Sequence, residues 1–146
     1  MSLRSWLQNG WLVEHTTSPD EIRNLLAIVD RDLAASQAPN LPPDWRMAIA
    51  YNAALQAATA ALAAAGYRAA RDSHHYRVIQ SLEFTVNPGR NMIATLDAFR
   101  KKRNISSYDV AGVVSDKEAV EVFELATNLR ADVEKWIKST HPKFLG

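Results

Sequence analysis

Four consecutive cations, Arg100, Lys101, Lys102 and Arg103, form the densest run of charge in the chain. Guanidinium forks and ammonium groups bind phosphate by displacing condensed counterions, so such a run is a candidate nucleic-acid or nucleotide contact. On a helix, consecutive residues fan around most of the circumference, and near a helix C-terminus the same charges only complement the macrodipole. Asn104 follows directly, and Tyr108 stands a little beyond it. Both can hydrogen-bond a phosphate, and the phenol can stack on a base. A second candidate is the pair His74-His75, with Arg71 and Arg77 close by. An imidazole titrates near ~6.5 and can move a proton at neutral pH. If Ser73 caps a helix there, its free N–H groups would favour an anion beside the histidines. The bland alternative is that one histidine caps the helix and the other is solvated.

Other chemistries find less support. The chain has no cysteine, which excludes a disulfide framework, a thiolate zinc site and a cysteine nucleophile, and suits a reducing cytoplasm. Its histidines, His15, His74, His75 and His141, lack the i, i+4 spacing of a helical zinc motif, so no metal and no cofactor is expected. No Gly-rich phosphate loop or Gly-x-Ser-x-Gly elbow occurs. A formal net charge of +1 gives no global field, so any nucleic-acid contact must be a local patch.

The elements that must position these residues read as helices. With 146 residues, 47% hydrophobic and 23% charged, the chain suits one soluble domain over 1–146. Ser18, Pro19 and Glu21 predict a capping box opening a helix to about Gln37, with Ile22, Leu25, Leu26, Val29 and Leu33 as its buried stripe. Prolines make 38–43 a loop. A second helix runs from Pro43 to Gly66, its alanines covering nearly every face, which suits a central helix. The uncharged stretch from Met47 to Gly66 is as long as a membrane span. Its alanines and polar Asn52, Gln56 and Thr59 favour a buried core helix instead, so no membrane is expected. Tyr67 to Asp72 reads as a polar connection. A third helix runs from Ser73 through Phe84 and stops before Asn87-Pro88-Gly89. A fourth segment carries Met92, Ile93, Leu96 and Phe99 ahead of the basic run, and a break is expected near Ala111-Gly112. Ser115 and Glu118 form a second capping box, opening a helix through Val122, Ala126, Leu129, Val133 and Ile137 to His141-Pro142. No run alternates with period two, so no strand is expected. Trp6, Leu7, Trp11 and Leu12 make 1–17 an apolar segment that the bundle or a second subunit must cover. The four tryptophans read as core or interface anchors.

The segment Arg103-Asn104-Ile105-Ser106-Ser107-Tyr108-Asp109 resembles the signature of the HEPN family (higher eukaryotes and prokaryotes nucleotide-binding domains). That signature is Arg-x4-His, with Asn, Asp or His after the arginine; here Tyr108 stands at the histidine position. The Ala-Tyr-Asn-Ala-Ala-Leu run from Ala50, the Gly66-Tyr67-Arg68 helix end and the His74-His75 helix opening also look like family features. The resemblance implies an all-α, antiparallel up-down bundle of about five helices and a homodimer whose two motifs face one cleft. It also implies a metal-independent RNase of toxin or defence type, in which a base takes the 2′-hydroxyl proton and a cation holds the phosphate. Arg103 matches the cation. An unperturbed phenol titrates near ~10 and is a poor base, so with Tyr108 at the histidine position catalysis is expected to be weakened or lost unless His74 or His75 stands in. The expectation is therefore RNA or nucleotide binding through Arg103, Asn104 and Tyr108, supported by Arg100, Lys101, Lys102, Arg71 and Arg77. The rival that the resemblance carries is a non-catalytic bundle partnering a minimal nucleotidyltransferase. A purely structural bundle with a solvated basic end is the third reading.

Overall fold

The structure, a computed structural model, describes residues 1–108 and 113–145; of 105–108 only the backbone is described. In chain order the elements are α1 (Leu3–Gln8), β1 (Leu12–Glu14), α2 (Pro19–Ala35), α3 (Pro43–Ala64), β2 (Tyr67–Ala69), α4 (His74–Gln80), a 3-10 turn (Ser81–Phe84), α5 (Arg90–Tyr108) and α6 (Asp116–Thr140). The protein is mostly helical, as its apolar periodicity predicts.

The helix boundaries follow local chemistry. Ser115 and Glu118 close a reciprocal capping box at the start of α6, satisfying two otherwise orphan N–H groups. At α2 only half of the expected box forms. Ser18 accepts from the Glu21 N–H, but the Glu21 carboxylate turns to Thr17 and His15 instead. Gly66, at φ +100°, supplies the left-handed turn that ends α3. Two expectations fail nearby. Ser73 adopts φ 55° and makes no side-chain cap, so α4 starts from a left-handed turn. No strand is expected from the sequence, yet residues 67–69, read as part of a polar connection, pair with residues 12–14 of the N-terminal apolar segment as an antiparallel ribbon in the register Leu12↔Ala69 and Glu14↔Tyr67.

That ribbon folds the N-terminal segment onto the bundle. Trp6 packs edge-on against Trp11 and Phe84 at 5.7 and 5.3 Å, and both Trp6 and Leu12 are buried. The apolar segment is thus covered by its own chain.

α3 is the core helix and packs most extensively on α6 and α2. Ala50, Ala53, Ala54, Ala57, Ala58, Ala60 and Ala61 are wholly buried, and such small side chains let neighbouring backbones approach closely. By length and composition α3 could cross a membrane, with a mean hydropathy of 1.3. However, 72% of that window is buried within this protein. Arg46 near the start of α3 pairs with Asp116 at the start of α6, and Lys102 near the end of α5 pairs with Glu118. So α3 and α6 begin, and α5 ends, at one end of the bundle. Candidate chemistry gathers beside that end, where α4 and α5 meet the first half of α3.

Candidate functional site

Because 100–103 lie on one helix, their side chains leave α5 in different directions and each meets a different neighbour. Arg100 Nε donates to Asp97 Oδ1 at 2.7 Å, and its guanidinium lies 5.5 Å from the Tyr76 ring of α4. Lys101 reaches the second oxygen of Asp97 at 3.6 Å and is the most exposed of these three paired cations. Lys102 is taken by Glu118, the residue that also closes the α6 capping box, and this holds the Glu118 carboxyl below its ordinary range. Arg103 turns toward α3, its guanidinium 5.6 Å from the Tyr51 ring. The expected single phosphate patch is thus divided among α4, α6 and α3.

The cleft forms one step further along. Ser73, His74, His75 and Tyr76 of α4 and its preceding turn face Arg100 and Asn104 of α5 across a cavity of about 360 Å³. The two imidazoles lie 5.7 Å apart. Among the described residues the side chains of His74, His75, Tyr76 and Asn104 have no hydrogen-bond partner, so their donors and acceptors remain available to a ligand. Burial lowers the His75 pKa first, and His74, Arg103 and Arg100 lower it further. At neutral pH this ring is therefore uncharged and able to accept a proton. With only seven residues and no side-chain cap, α4 gives the cleft little of the helix-terminus field expected there.

Behind the cleft lies Tyr51, which the sequence offered as part of the family-like Ala-Tyr-Asn-Ala-Ala-Leu run. Its ring is 6.2 Å from that of His75, and it is 1% exposed. Its hydroxyl has no hydrogen-bond partner among the described residues. Burial pushes its pKa up to about 12, against the pull of Arg103 and Arg100. No local pattern marks Tyr51 as a site residue, since its place depends on how α3, α4 and α5 pack.

The remaining candidates sit elsewhere. Arg77 stacks on Trp11 at 3.7 Å and so helps hold the N-terminal segment rather than line the cleft. Arg71 is exposed on the turn before α4 and does not line the cleft. The side chain of Tyr108, and all of Asp109, lie outside the described residues. Among the described residues no three His, Asp or Glu side chains converge as a metal site.

Comparison with family models, characterised proteins and solved structures finds no match for this chain.

Proposed function

We propose that this chain is a HEPN-like module that binds RNA or a nucleotide in the cleft between α4 and α5, acting as a homodimer. The observation that carries this reading is the meeting of His74 and His75 with Arg100 and Asn104 around one open cavity. An arginine with part of its fork free, a carboxamide and two imidazoles can together hold a phosphate and its ribose. The sequence resemblance at Arg103-Asn104 points to the same end of α5. Tyr108 at the motif's histidine position argues for binding with little cleavage. Any cleavage would draw on His75, whose neutral ring can take a 2′-hydroxyl proton.

Fluorescence anisotropy with labelled single-stranded RNA, read over a range of salt, tests the proposal. Arg100→Ala and Asn104→Ala should weaken binding, and the arginine variant should flatten the salt slope by about 0.7 for a lost phosphate contact. Lys101→Ala, outside the cleft, should change it far less. Equal affinity in all three variants, or no RNA affinity in the wild type, would refute the reading.

A second reading draws on Trp45, which is 64% exposed on the first turn of α3. An exposed tryptophan is a strong anchor for a protein partner. A stable complex with a nucleotidyltransferase, lost in Trp45→Ala and accompanied by no RNA affinity, would favour the interaction bundle.

A further inference from the structure

A second pocket of about 250 Å³ shares one lining residue, His74, with the α4–α5 cleft. Leu25 of α2, Leu62 and Ala63 of α3 and Val78 of α4 give it apolar walls, and Thr59, Tyr67 and Arg68 also line it. Its polar edge comes from the segment that the β1–β2 ribbon ties down. The His15 N–H donates to the Gly66 carbonyl at 2.9 Å, which sets His15 beside the end of α3. Glu21, in the first turn of α2, takes the Thr17 hydroxyl and His15 Nε2 on Oε1, each at 2.6 Å. Those bonds hold the carboxyl below its ordinary range, so it is ionised at neutral pH. Oε2 has no hydrogen-bond partner among the described residues.

A ligand for this pocket needs apolar surface to meet those walls and an edge that donates hydrogen bonds to a carboxylate. The volume falls below the ~300–1,000 Å³ of pockets that enclose drug-sized ligands, which suits one heterocycle rather than a whole nucleotide. The shared His74 wall means that such a heterocycle would leave its attached ribose and phosphate at the mouth of the α4–α5 cleft.

We infer that this pocket receives a nucleobase carrying an exocyclic amine, with Glu21 Oε2 accepting from that amine, while the attached ribose phosphate lies in the cleft. This rests on the RNA- or nucleotide-binding reading and adds base selection to it. Adenine, cytosine and guanine present an amine to the carboxylate; uracil presents carbonyl oxygens on either side of its ring N–H, and these the carboxylate repels.

Calorimetric titration of the full chain with the monophosphates of adenosine, cytidine and uridine, and with ribose phosphate, tests this inference. The adenine and cytosine nucleotides should bind about tenfold tighter than the uracil nucleotide, the scale of one hydrogen bond to a partly solvated charge. Ribose phosphate should bind weakest. Glu21→Gln should level the preference among bases. Leu25→Trp, at a half-buried wall position, should reduce every nucleotide to the affinity of ribose phosphate. Equal affinities for all four ligands, or an inert Leu25→Trp, overturn the inference. RNA binding that still needs Arg100 but ignores both variants overturns the base pocket and leaves the cleft reading standing. Absence of binding to RNA and to every nucleotide overturns both.

Discussion

Replacing Tyr51 by phenylalanine removes a single oxygen atom from the layer directly behind the cleft. That oxygen is fully buried and accepts and donates nothing among the described residues. Folding strips its water without returning a hydrogen bond, a loss of roughly 1–3 kcal/mol for a neutral polar group. Phenylalanine keeps the ring, so the packing against His75 and Arg103 persists and no cavity opens. Tyr51→Phe should therefore stabilise the protein by about 1–2 kcal/mol. At about 3–4 °C per kcal/mol for a chain of this size, the midpoint should rise by about 3–8 °C. A second signature follows from the raised pKa of about 12. The unfolded phenol ionises near ~10, so above that pH the unfolded state releases a proton that the folded state retains. Wild-type stability should then fall between about pH 10 and pH 12 by roughly 2–3 kcal/mol beyond any loss in the variant. Thermal melts followed by circular dichroism at pH 7 and across that alkaline range measure both effects. A variant less stable than the wild type at pH 7, with the same alkaline slope, would show that the hydroxyl is not a buried orphan. If the variant is more stable but binds RNA more weakly, the oxygen serves the site at the expense of the fold.

Other perturbations test other parts of the structure. Asp32 is 8% exposed and takes the Asn52 amide at 2.7 Å, so Asn52→Ala should cost roughly 1–3 kcal/mol in urea unfolding. Unchanged stability would mean that Arg31 alone satisfies the carboxylate. Ser115→Ala breaks the α6 capping box and should cost about 1 kcal/mol, seen as a lower denaturation midpoint with an unchanged slope. In an NMR titration His75 should protonate below its ordinary value. Because its folded pKa is lowered, its share of stability should decline as pH falls from ~6.5 through that lowered value. A normal titration for His75 would mean that neither burial nor the arginines act on the ring.

Where the chain states its structure locally, it could be read. Ser115 with Glu118, Pro19 after Ser18, and Gly66 after an alanine-rich run each mark a helix end within a few residues, and those ends are where they should be. The β1–β2 ribbon could not be read in this way. Three residues cannot display a period of two, and the pairing of Leu12 with Ala69 joins segments far apart in the chain. Ser73 looked like a cap by type, but a left-handed backbone turns its hydroxyl away from that duty. The site was legible in fragments. His74-His75 and Asn104 stood out by type and do meet, joined by Arg100. That Lys102 would go to α6, Arg103 to α3 and Arg77 to Trp11 depends on which face of each helix is covered. Single-residue chemistry does not encode that, and the local patterns that contain Tyr51 and Glu21, a family-like run and a capping box, do not mark either as lining a site.

Alanine has no χ angles to freeze, so the alanines of α3 enter the middle of the protein with no loss of side-chain entropy. The same poverty leaves it without shock absorbers. A longer side chain on that axle has no alternative rotamer into empty space and must wedge two helices apart. Variation in such a molecule is pushed outward, to α4, α5 and the ribbon, where a substitution can retune a binding surface without disturbing the rod that carries it.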